Sequence, residues 1–195
     1  PLPVLGKFVR WLGKTLKAKK TNVPQARGIV EVDWINGAFL MVKKSVIEKA
    51  GLLDEDFFLY AEEIEWCSRL RKYGKLCIYG DQHVIHLQGE TANEAYDSSD
   101  KGYFNLSDRK GRQILISNFV RIRKQFGTGW FILHLLFYIV ELPLFFLSVL
   151  LQKVFSSKKD RNTFSQFRGF ARNLFFLLGK SGTIIRNKPY FYKTL

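Results

Sequence analysis

Three carboxylates crowd a short segment in the middle of the sequence and are the residues best suited to chemistry. Glu62, Glu63 and Glu65 follow the run Phe-Phe-Leu-Tyr at 57–60. Aromatic side chains build an apolar wall, and a carboxylate held at such a wall on a rigid helix end can act as a general base. Early acids, with Arg69 four residues after Glu65, are also what an ordinary stable surface helix carries. The segment alone leaves both interpretations open.

A histidine is the second chemical signal. His86 ends a short apolar segment and precedes Gln-Gly-Glu-Thr at 88–91. A single His in this position is more often a structural residue than a metal ligand. The sequence has no Cys-x-x-Cys, no His-Glu-x-x-His and no glycine-rich nucleotide-binding motif. Cys67 and Cys77 cannot build a disulfide scaffold or a four-cysteine zinc site, so a reducing compartment is expected.

Short strands and helices are predicted around these residues. Between two apolar runs, Asn36, Gly37 and Ala38 remove side-chain bulk, which lets the backbone approach a neighbour or a ligand closely. Ser45 and Glu48 have the spacing of a capping box at the start of a helix. The predicted strands are 29–34, 39–42, 76–79 and 84–86, and the predicted helices are 45–50 and 62–73.

Charge divides the sequence into three parts. The formal net charge is +14, and hydrophobic residues make up 47% of the chain, which excludes intrinsic disorder. Residues 1–33 carry seven basic and two acidic side chains, residues 34–100 carry seven and twelve, and residues 101–195 carry seventeen and three. An acidic middle between basic arms is not the pattern of a nucleic-acid binder, so no nucleic-acid partner is expected. The arms are suited to lipid headgroups or pyrophosphate.

Four spaced elements follow one another in a recognisable order. They are Val-Asp-Trp-Ile-Asn-Gly-Ala at 32–38, Gly-Leu-Leu-Asp-Glu-Asp-Phe-Phe-Leu-Tyr at 51–60, Ala-Glu-Glu-Ile-Glu-Trp-Cys-Ser-Arg-Leu at 61–70 and His-Leu-Gln-Gly-Glu-Thr at 86–91. This order resembles the acceptor half of family 2 glycosyltransferases, the bacterial rhamnosyltransferase-like members above all. The resemblance covers about residues 29–91 and, loosely, the basic tail. It implies an α/β fold, the C-terminal half of a GT-A (nucleotide-diphospho-sugar transferase) fold, followed by basic, apolar membrane-associated helices.

The resemblance also implies roles for individual residues. Glu63 would be the base that deprotonates the acceptor hydroxyl, although the family carries Asp at this position and at Glu65. The sugar would move with inversion from a nucleotide-sugar donor to a glycan or lipid-linked acceptor. His86 would help to hold a divalent metal, Mg or Mn, that screens the leaving pyrophosphate. Arg69 would be structural or face the phosphates. The residues expected to line the donor–acceptor cleft are Trp34, Gly37, Ala38, Tyr60, Glu62 and Arg69.

Residues 1–28 contain no acidic residue, so they lack the Asp-x-Asp metal motif of the family. We therefore expect the chain to be the C-terminal part of a transferase that is inactive without its nucleotide-binding half. The expected organisation is a basic connector at 1–28, the acceptor-side part of the glycosyltransferase domain at 29–112 and a membrane-associated helical tail at 113–195. Within the connector, 7–20 is either a solvated basic loop or a segment lying against a membrane.

The tail contains an apolar run at 130–151 that is long enough to cross a bilayer. Glu141 and Pro143 lie inside this run, and basic residues flank both of its ends. This pattern favours a helical hairpin kinked near Pro143, or helices in the interface, at the cytoplasmic face of the cell membrane. A buried hairpin is the competing structure. A non-catalytic membrane-surface or scaffold protein is the competing function.

Overall fold

The computed structural model describes residues 2–15, 26–85, 96, 105–155 and 164–194. Helices dominate these residues, with one small two-stranded sheet. The helices are α1 (Leu5–Thr15), α2 (Lys44–Ala50), α3 (Glu62–Leu70), α4 (Arg109–Phe155) and α5 (Phe164–Arg186), and the strands are β1 (Ile29–Val32) and β2 (Leu76–Tyr79).

The sheet pairs β1 with β2 in antiparallel register, with Val32 opposite Leu76. Below it lies a small core in which Cys67, Leu70 and Leu76 are buried. Partly buried side chains from β1, the following loop, α2 and α3 pack against these three residues. The sheet and α2 thus form the support on which one face of α3 rests.

Two predicted strands are not formed. Residues 39–42 have no strand partner among the described residues; Phe39 and Met41 are exposed while Leu40 and Val42 pack on the small core. The alternating pattern of this segment therefore buries one apolar face, but no neighbouring strand in the described part of the chain forms backbone hydrogen bonds with it. Residues 84 and 85 also lie outside any strand. Residue 86 falls outside the described residues.

Two helix boundaries differ from those predicted. The capping box is wrong, because α2 begins at Lys44 with Lys43 as its N-cap and without a side-chain capping bond. Ser45 is therefore already inside the first turn. The helix predicted to reach Tyr73 ends at Leu70, where the Tyr73 N–H donates to the Leu70 carbonyl in a turn, 2.9 Å away.

A sharp bend at Gly127 folds α4 back on itself. Gly127 has φ 85°, which glycine adopts without a Cβ clash. The Phe119 ring consequently lies 5.4 Å from the Phe131 ring and 5.2 Å from the Tyr138 ring. In a straight helix residues 119 and 138 would be roughly 28 Å apart. The hairpin predicted to bend near Pro143 is therefore wrong, since the helix continues through that exposed proline; the hairpin that does form bends at Gly127, before the apolar run.

The last helix, α5, packs against both halves of α4. Arg112 in the first half lies over the Phe176 ring at 4.9 Å, and Phe145 in the second half lies 5.8 Å from Phe170. The larger core forms between these helices. Its most buried members include Ile114, Leu115, Phe119, Phe131, Phe145, Phe170, Leu174 and Leu177.

The buried carboxylate of Glu141 joins α1 to the second half of α4. Its two oxygens accept the backbone N–H groups of Val4 and Leu5, the latter at 2.9 Å. These are N–H groups at the start of α1 that have no partner within their own helix, and the positive end of a helix dipole favours an anion there. The negative charge inside the apolar run thus receives its hydrogen bonds from another helix, α1.

Candidate functional site

The loop that leads into α3 is held by a lysine from α4. The Lys124 ammonium lies 2.6 Å from an oxygen of Asp54 and 2.7 Å from an oxygen of Asp56. Burial lowers the pKa of Lys124, but its bonds to the two carboxylates outweigh this and raise the pKa overall. The acidic part of the loop is therefore fixed by a partly buried cation 70 residues away in sequence.

The segment 190–194 holds the same loop from another side. The Asp56 carboxylate accepts the Tyr190 N–H at 2.8 Å, and the Asp56 carbonyl accepts the Tyr192 N–H at 3.0 Å. Phe57 and Tyr192 form a parallel bridge, and both side chains are buried. The loop thus gains a short backbone pairing that the sheet does not supply.

Polar side chains on α4 complete this support. Ser117 donates to the Leu59 carbonyl at 2.7 Å, and Gln125 donates to the Ile64 carbonyl at 3.3 Å. Fully buried Gln113 donates to Ser117 and to the Tyr192 carbonyl at 2.8 Å. We name Gln113, Ser117 and Lys124, together with the segment 190–194, the clamp.

The chain enters α3 through two strained residues. Tyr60 has φ 70° and Ala61 has φ 67°, although neither is glycine. Left-handed backbone costs a residue with a Cβ about 1–2 kcal/mol, so the surrounding contacts must maintain it. This bend separates the clamped loop from the first turn of α3, which carries Glu62 and Glu63.

One face of α3 lies along the loop after β1. Cys67 is fully buried, and its sulfur accepts the Ile35 N–H at 3.5 Å. One turn earlier, Glu63 lies against Gly37, because a Cβ added to Gly37 would stand 3.5 Å from the Glu63 Cβ. The predicted close approach of the glycine backbone to a neighbour is found here, and the neighbour is Glu63.

The two acids of the first turn are half-buried. Burial raises the pKa of Glu63, opposed in part by a hydrogen bond from its own backbone N–H. Burial likewise raises the pKa of Glu62, and the negative charge of Glu63 raises it further. One oxygen of Glu62 is buried and accepts no hydrogen bond from the described residues. Both carboxylates therefore bind protons more tightly than carboxylates in water.

Arg69 lies on a different face of α3 from Glu63. Its guanidinium binds the Glu65 carboxylate at 2.8 Å, as the i,i+4 spacing predicts, and donates to the Ala50 and Leu52 carbonyls at 2.6 and 2.9 Å. These bonds connect the end of α2 to the middle of α3. These contacts are structural, and whether Arg69 also faces a phosphate or the cleft stays a prediction.

The other predicted cleft residues surround this turn at varying depth. Trp34 is 45% exposed, and Ala38 is exposed with its N–H bonded to the Asn36 side chain at 2.9 Å. Tyr60 is half-buried and packs against the larger core. The contacts bring Gly37 and Glu63 together, whereas Arg69 faces elsewhere. Whether Trp34, Ala38 and Tyr60 line a sugar cleft stays a prediction.

The predicted metal ligand His86 lies outside the described residues. Within the described ranges, no group of three or more His, Cys, Asp or Glu side chains could hold a metal ion. The acids of α3 are accompanied by Cys67, whose thiol pKa is raised by burial and further by the charge of Glu63. Hard cations need several oxygen ligands, so the described residues do not by themselves fit a magnesium or manganese site.

Local sequence patterns do not reveal the clamp. Lys124 lies in a basic run that flanks the apolar stretch, and Gln113 belongs to no local motif. Long-range partners of this kind leave no periodic signal in a single sequence. The one available sign was the pair Asp54 and Asp56, two acids beside buried aromatics that need a cation.

Comparison with known proteins gives partial matches to sugar-transferring enzymes. The low-salt glycan biosynthesis hexosyltransferase Agl10 of Haloferax volcanii is 31% identical over 115 residues, 54% of this chain and 36% of that protein. An N-acetylglucosaminyl-diphospho-decaprenol L-rhamnosyltransferase of Mycobacterium tuberculosis is 38% identical over 84 residues, 40% of this chain and 27% of that protein. The rhamnosyltransferase WbbL of Escherichia coli is 32% identical over 87 residues, 43% of this chain and 32% of that protein.

No protein-family model matches the chain, and no solved structure matches it significantly. The matches cover between 27% and 36% of the length of these curated relatives. They establish a partial relationship to glycosyltransferases.

Proposed function

We propose that the chain is the acceptor-side part of an inverting glycosyltransferase of family 2 with a GT-A fold, and that Glu63 is its general base. The position of Glu63 carries the proposal: a half-buried carboxylate in the first turn of α3, beside Gly37. The partial matches to three glycosyltransferases support the reaction class. The matches do not identify the donor or the acceptor, so both are part of this proposal, as is the activity itself.

The proposed step is a displacement at the anomeric carbon of a nucleotide-sugar donor. The Glu63 carboxylate takes the proton of an acceptor hydroxyl as that oxygen forms a bond to the anomeric carbon. The bond from this carbon to the pyrophosphate oxygen breaks and the oxygen keeps the electron pair. The nucleoside diphosphate leaves with one more negative charge, which balances the proton taken by Glu63. Attack from the opposite side gives inversion.

Two properties of the site favour this role for Glu63. Burial raises its pKa, which brings its proton affinity closer to neutral pH, where a general base is most effective. The clamp fixes the loop before α3, so the carboxylate has a defined direction. Glu62 would remain beside it as a second acid in the cleft.

The acceptor is proposed to be a glycan or lipid-linked sugar, and the reaction is proposed to take place at the cytoplasmic face of the membrane. A divalent metal remains a proposal based on the family resemblance. Since the described residues do not assemble its ligands, no step above uses it. The chain matches only part of its relatives, so the nucleotide-binding half is proposed to lie outside it.

The test is Glu63→Gln in the protein expressed from its complete reading frame. Glutamine keeps the size of the side chain but cannot accept the proton. We expect the transfer rate from a sugar nucleotide to fall by roughly a hundredfold to ten-thousandfold, the range for loss of a general base. Binding of the sugar nucleotide, measured by calorimetry, should be unchanged.

The matched control is Glu55→Gln, an exposed acid of the same loop. It removes the same charge without touching α3, so transfer should stay near the unmodified rate. Full turnover of the Glu63→Gln protein would exclude Glu63 as the base. Equal losses in both variants would point to net charge instead.

The exposed apolar face of α4 also favours a second candidate function, a non-catalytic membrane-surface protein. The two functions differ in one measurement. A scaffold would bind membranes but would not consume any sugar nucleotide, whether or not Glu63 is present.

A further inference from the structure

The second half of α4 carries a continuous apolar surface that the proposed chemistry does not use. Within 130–151, every exposed side chain is apolar, whereas His134, Glu141 and Ser148 are buried or half-buried. In the most apolar 18-residue stretch of α4, only 17% is buried. Soluble domains rarely expose an apolar patch of this kind. Its members include Leu133, Leu136, Phe137, Val140, Leu147 and Leu150.

A second apolar surface lies on α1. Phe8 and Trp11 are 55% and 60% exposed, and Leu12 shares their side of the helix. Arg10 lies on the other side, Lys7 lies at the edge of the apolar side one turn before Trp11, and α1 contains no acidic residue. An apolar side with a wholly basic polar side is the pattern of a helix that lies in the interface of an anionic membrane.

Glu141 attaches α1 to α4. By accepting the N–H groups of Val4 and Leu5, it holds the start of α1 at the middle of the apolar run 130–151, where Glu141 itself is buried. Were α4 to cross a bilayer at 130–151, the start of the basic helix α1 would have to enter the hydrocarbon with it. An orientation parallel to the membrane keeps α1 at the headgroups.

The position of α5 leads to the same orientation. Phe145 packs on Phe167 and Phe170, so α5 lies alongside the middle of the apolar run on its buried side. Arg168 and Arg172 are exposed on the outer side of α5. A crossing α4 would carry both guanidinium groups into hydrocarbon, whereas an in-plane α4 leaves them in water.

We propose that the chain binds in the plane of an anionic phospholipid bilayer through α1 and the second half of α4, without crossing it. The apolar side chains enter the acyl boundary, and the basic residues of α1 contact the lipid phosphates. This inference rests on the membrane location in the proposed function but not on glycosyl transfer.

The test is flotation of the full chain with two kinds of vesicle, phosphatidylcholine alone and an equimolar mixture with phosphatidylglycerol. We expect binding mainly to the mixed vesicles and its loss at high salt. Arg10→Gln should weaken binding roughly fivefold, the effect of about one basic residue near a charged surface. Lys72→Gln removes the same charge from an exposed site beyond α3 and should leave binding unchanged.

A second pair of variants tests the apolar contact. Trp11→Glu should abolish most binding, whereas Met41→Glu, an 83% exposed residue after β1, should not. Circular dichroism checks that each variant keeps its helix content. Quenching of tryptophan fluorescence in the unmodified chain by brominated anionic lipid gives a readout independent of any variant.

Each other outcome overturns a stated part of the inference. Equal binding to both vesicle types excludes selection of anionic lipid but keeps the membrane location. Resistance to alkaline carbonate extraction excludes the in-plane mode, since a helix lying in the interface is extracted. A chain that never floats and is a stable dimer without lipid contradicts both the inference and the membrane location. Glycosyl transfer is tested separately, by the Glu63→Gln assay.

Discussion

Glu62 and Glu63 lie next to each other in the first turn of α3 and differ in their surroundings. Glu63 rests against Gly37, whereas one oxygen of Glu62 is buried without a hydrogen bond from the described residues. Burial raises the pKa of both. A site that keeps two poorly solvated carboxylates side by side gives up some stability, as is common where side chains are positioned for chemistry.

Glu62→Gln should therefore stabilise the fold at neutral pH. Because the folded state raises the pKa of Glu62 above its ordinary value of 4.5, ionisation costs the folded state more than the unfolded state as pH rises. We expect Tm to increase at pH 7.5 and the gain to shrink towards zero at pH 4. Thermal unfolding at both values measures this; a lower Tm at pH 7.5 would contradict it. Glu55→Gln is the exposed control.

Gly37 sets the space available to the Glu63 carboxylate. A Cβ at position 37 would make an ordinary contact with Glu63, but the two methyl groups of valine would extend beyond it. Gly37→Val should lower kcat/KM by roughly tenfold to a hundredfold, since an ångström-scale displacement of a catalytic group has that effect, and Gly37→Ala should lower it less. At Gly74 no atom lies within 4 Å of an added Cβ, so Gly74→Val is the matched control.

At the scale of elements, α3 is positioned by contacts that come from distant parts of the chain. Lys124 and Ser117 on α4 hold the loop at Asp54, Asp56 and Leu59. The strained backbone at Tyr60 and Ala61 depends on these contacts, since nothing in its local sequence favours a left-handed conformation.

Lys124→Met should destabilise the fold by about 2 kcal/mol, because it leaves two partly buried carboxylates without their shared donor. The midpoint of urea unfolding measures the change. Lys75→Met breaks an exposed pair with Glu31 and should shift the midpoint little. Equal shifts for the two lysines would mean that the clamp does not support the loop.

Local features of these elements could be predicted from sequence, whereas their partners could not. The start of α3, the Glu65–Arg69 pair and β2 follow from short-range spacing and charge. Pro143 predicts a bend of α4 because proline lacks an N–H, but the helix continues through residue 143 and the reversal occurs at Gly127. The bonds between the clamp and the loop join residues far apart in sequence, 58 positions for Ser117 and Leu59 and 134 positions for Tyr190 and Asp56, which no local pattern reveals.

At the scale of the whole molecule, one carboxylate links the first helix to the hairpin of α4. Glu141 is fully buried and caps α1 from a helix 136 residues away in sequence. Two helices from distant parts of the described chain, each with an exposed apolar side, are thereby attached. From the sequence, Glu141 indicates only a charge within an apolar run, where its burial has a high free-energy cost.

Glu141→Leu should release α1. Loss of a helix cap is worth about 1 kcal/mol, so trypsin cleavage after Arg10 should accelerate roughly fivefold. Glu141→Gln retains one acceptor oxygen and should have a smaller effect. Cleavage is followed by mass spectrometry of the full chain in buffer without lipid. An unchanged rate for both variants would show that α1 is held by other contacts.

The pairing of Asp56 with Tyr190 has a consequence for biosynthesis. The two residues are 134 positions apart, so the ribosome must add the whole α4–α5 region before the loop ahead of α3 can acquire its last supports. Glu62 and Glu63 are therefore synthesised early, but the last contacts that fix the loop before them form only after residue 190 has been synthesised. Maturation of this turn is then coupled to the end of translation of the helical region rather than to the synthesis of α3 itself.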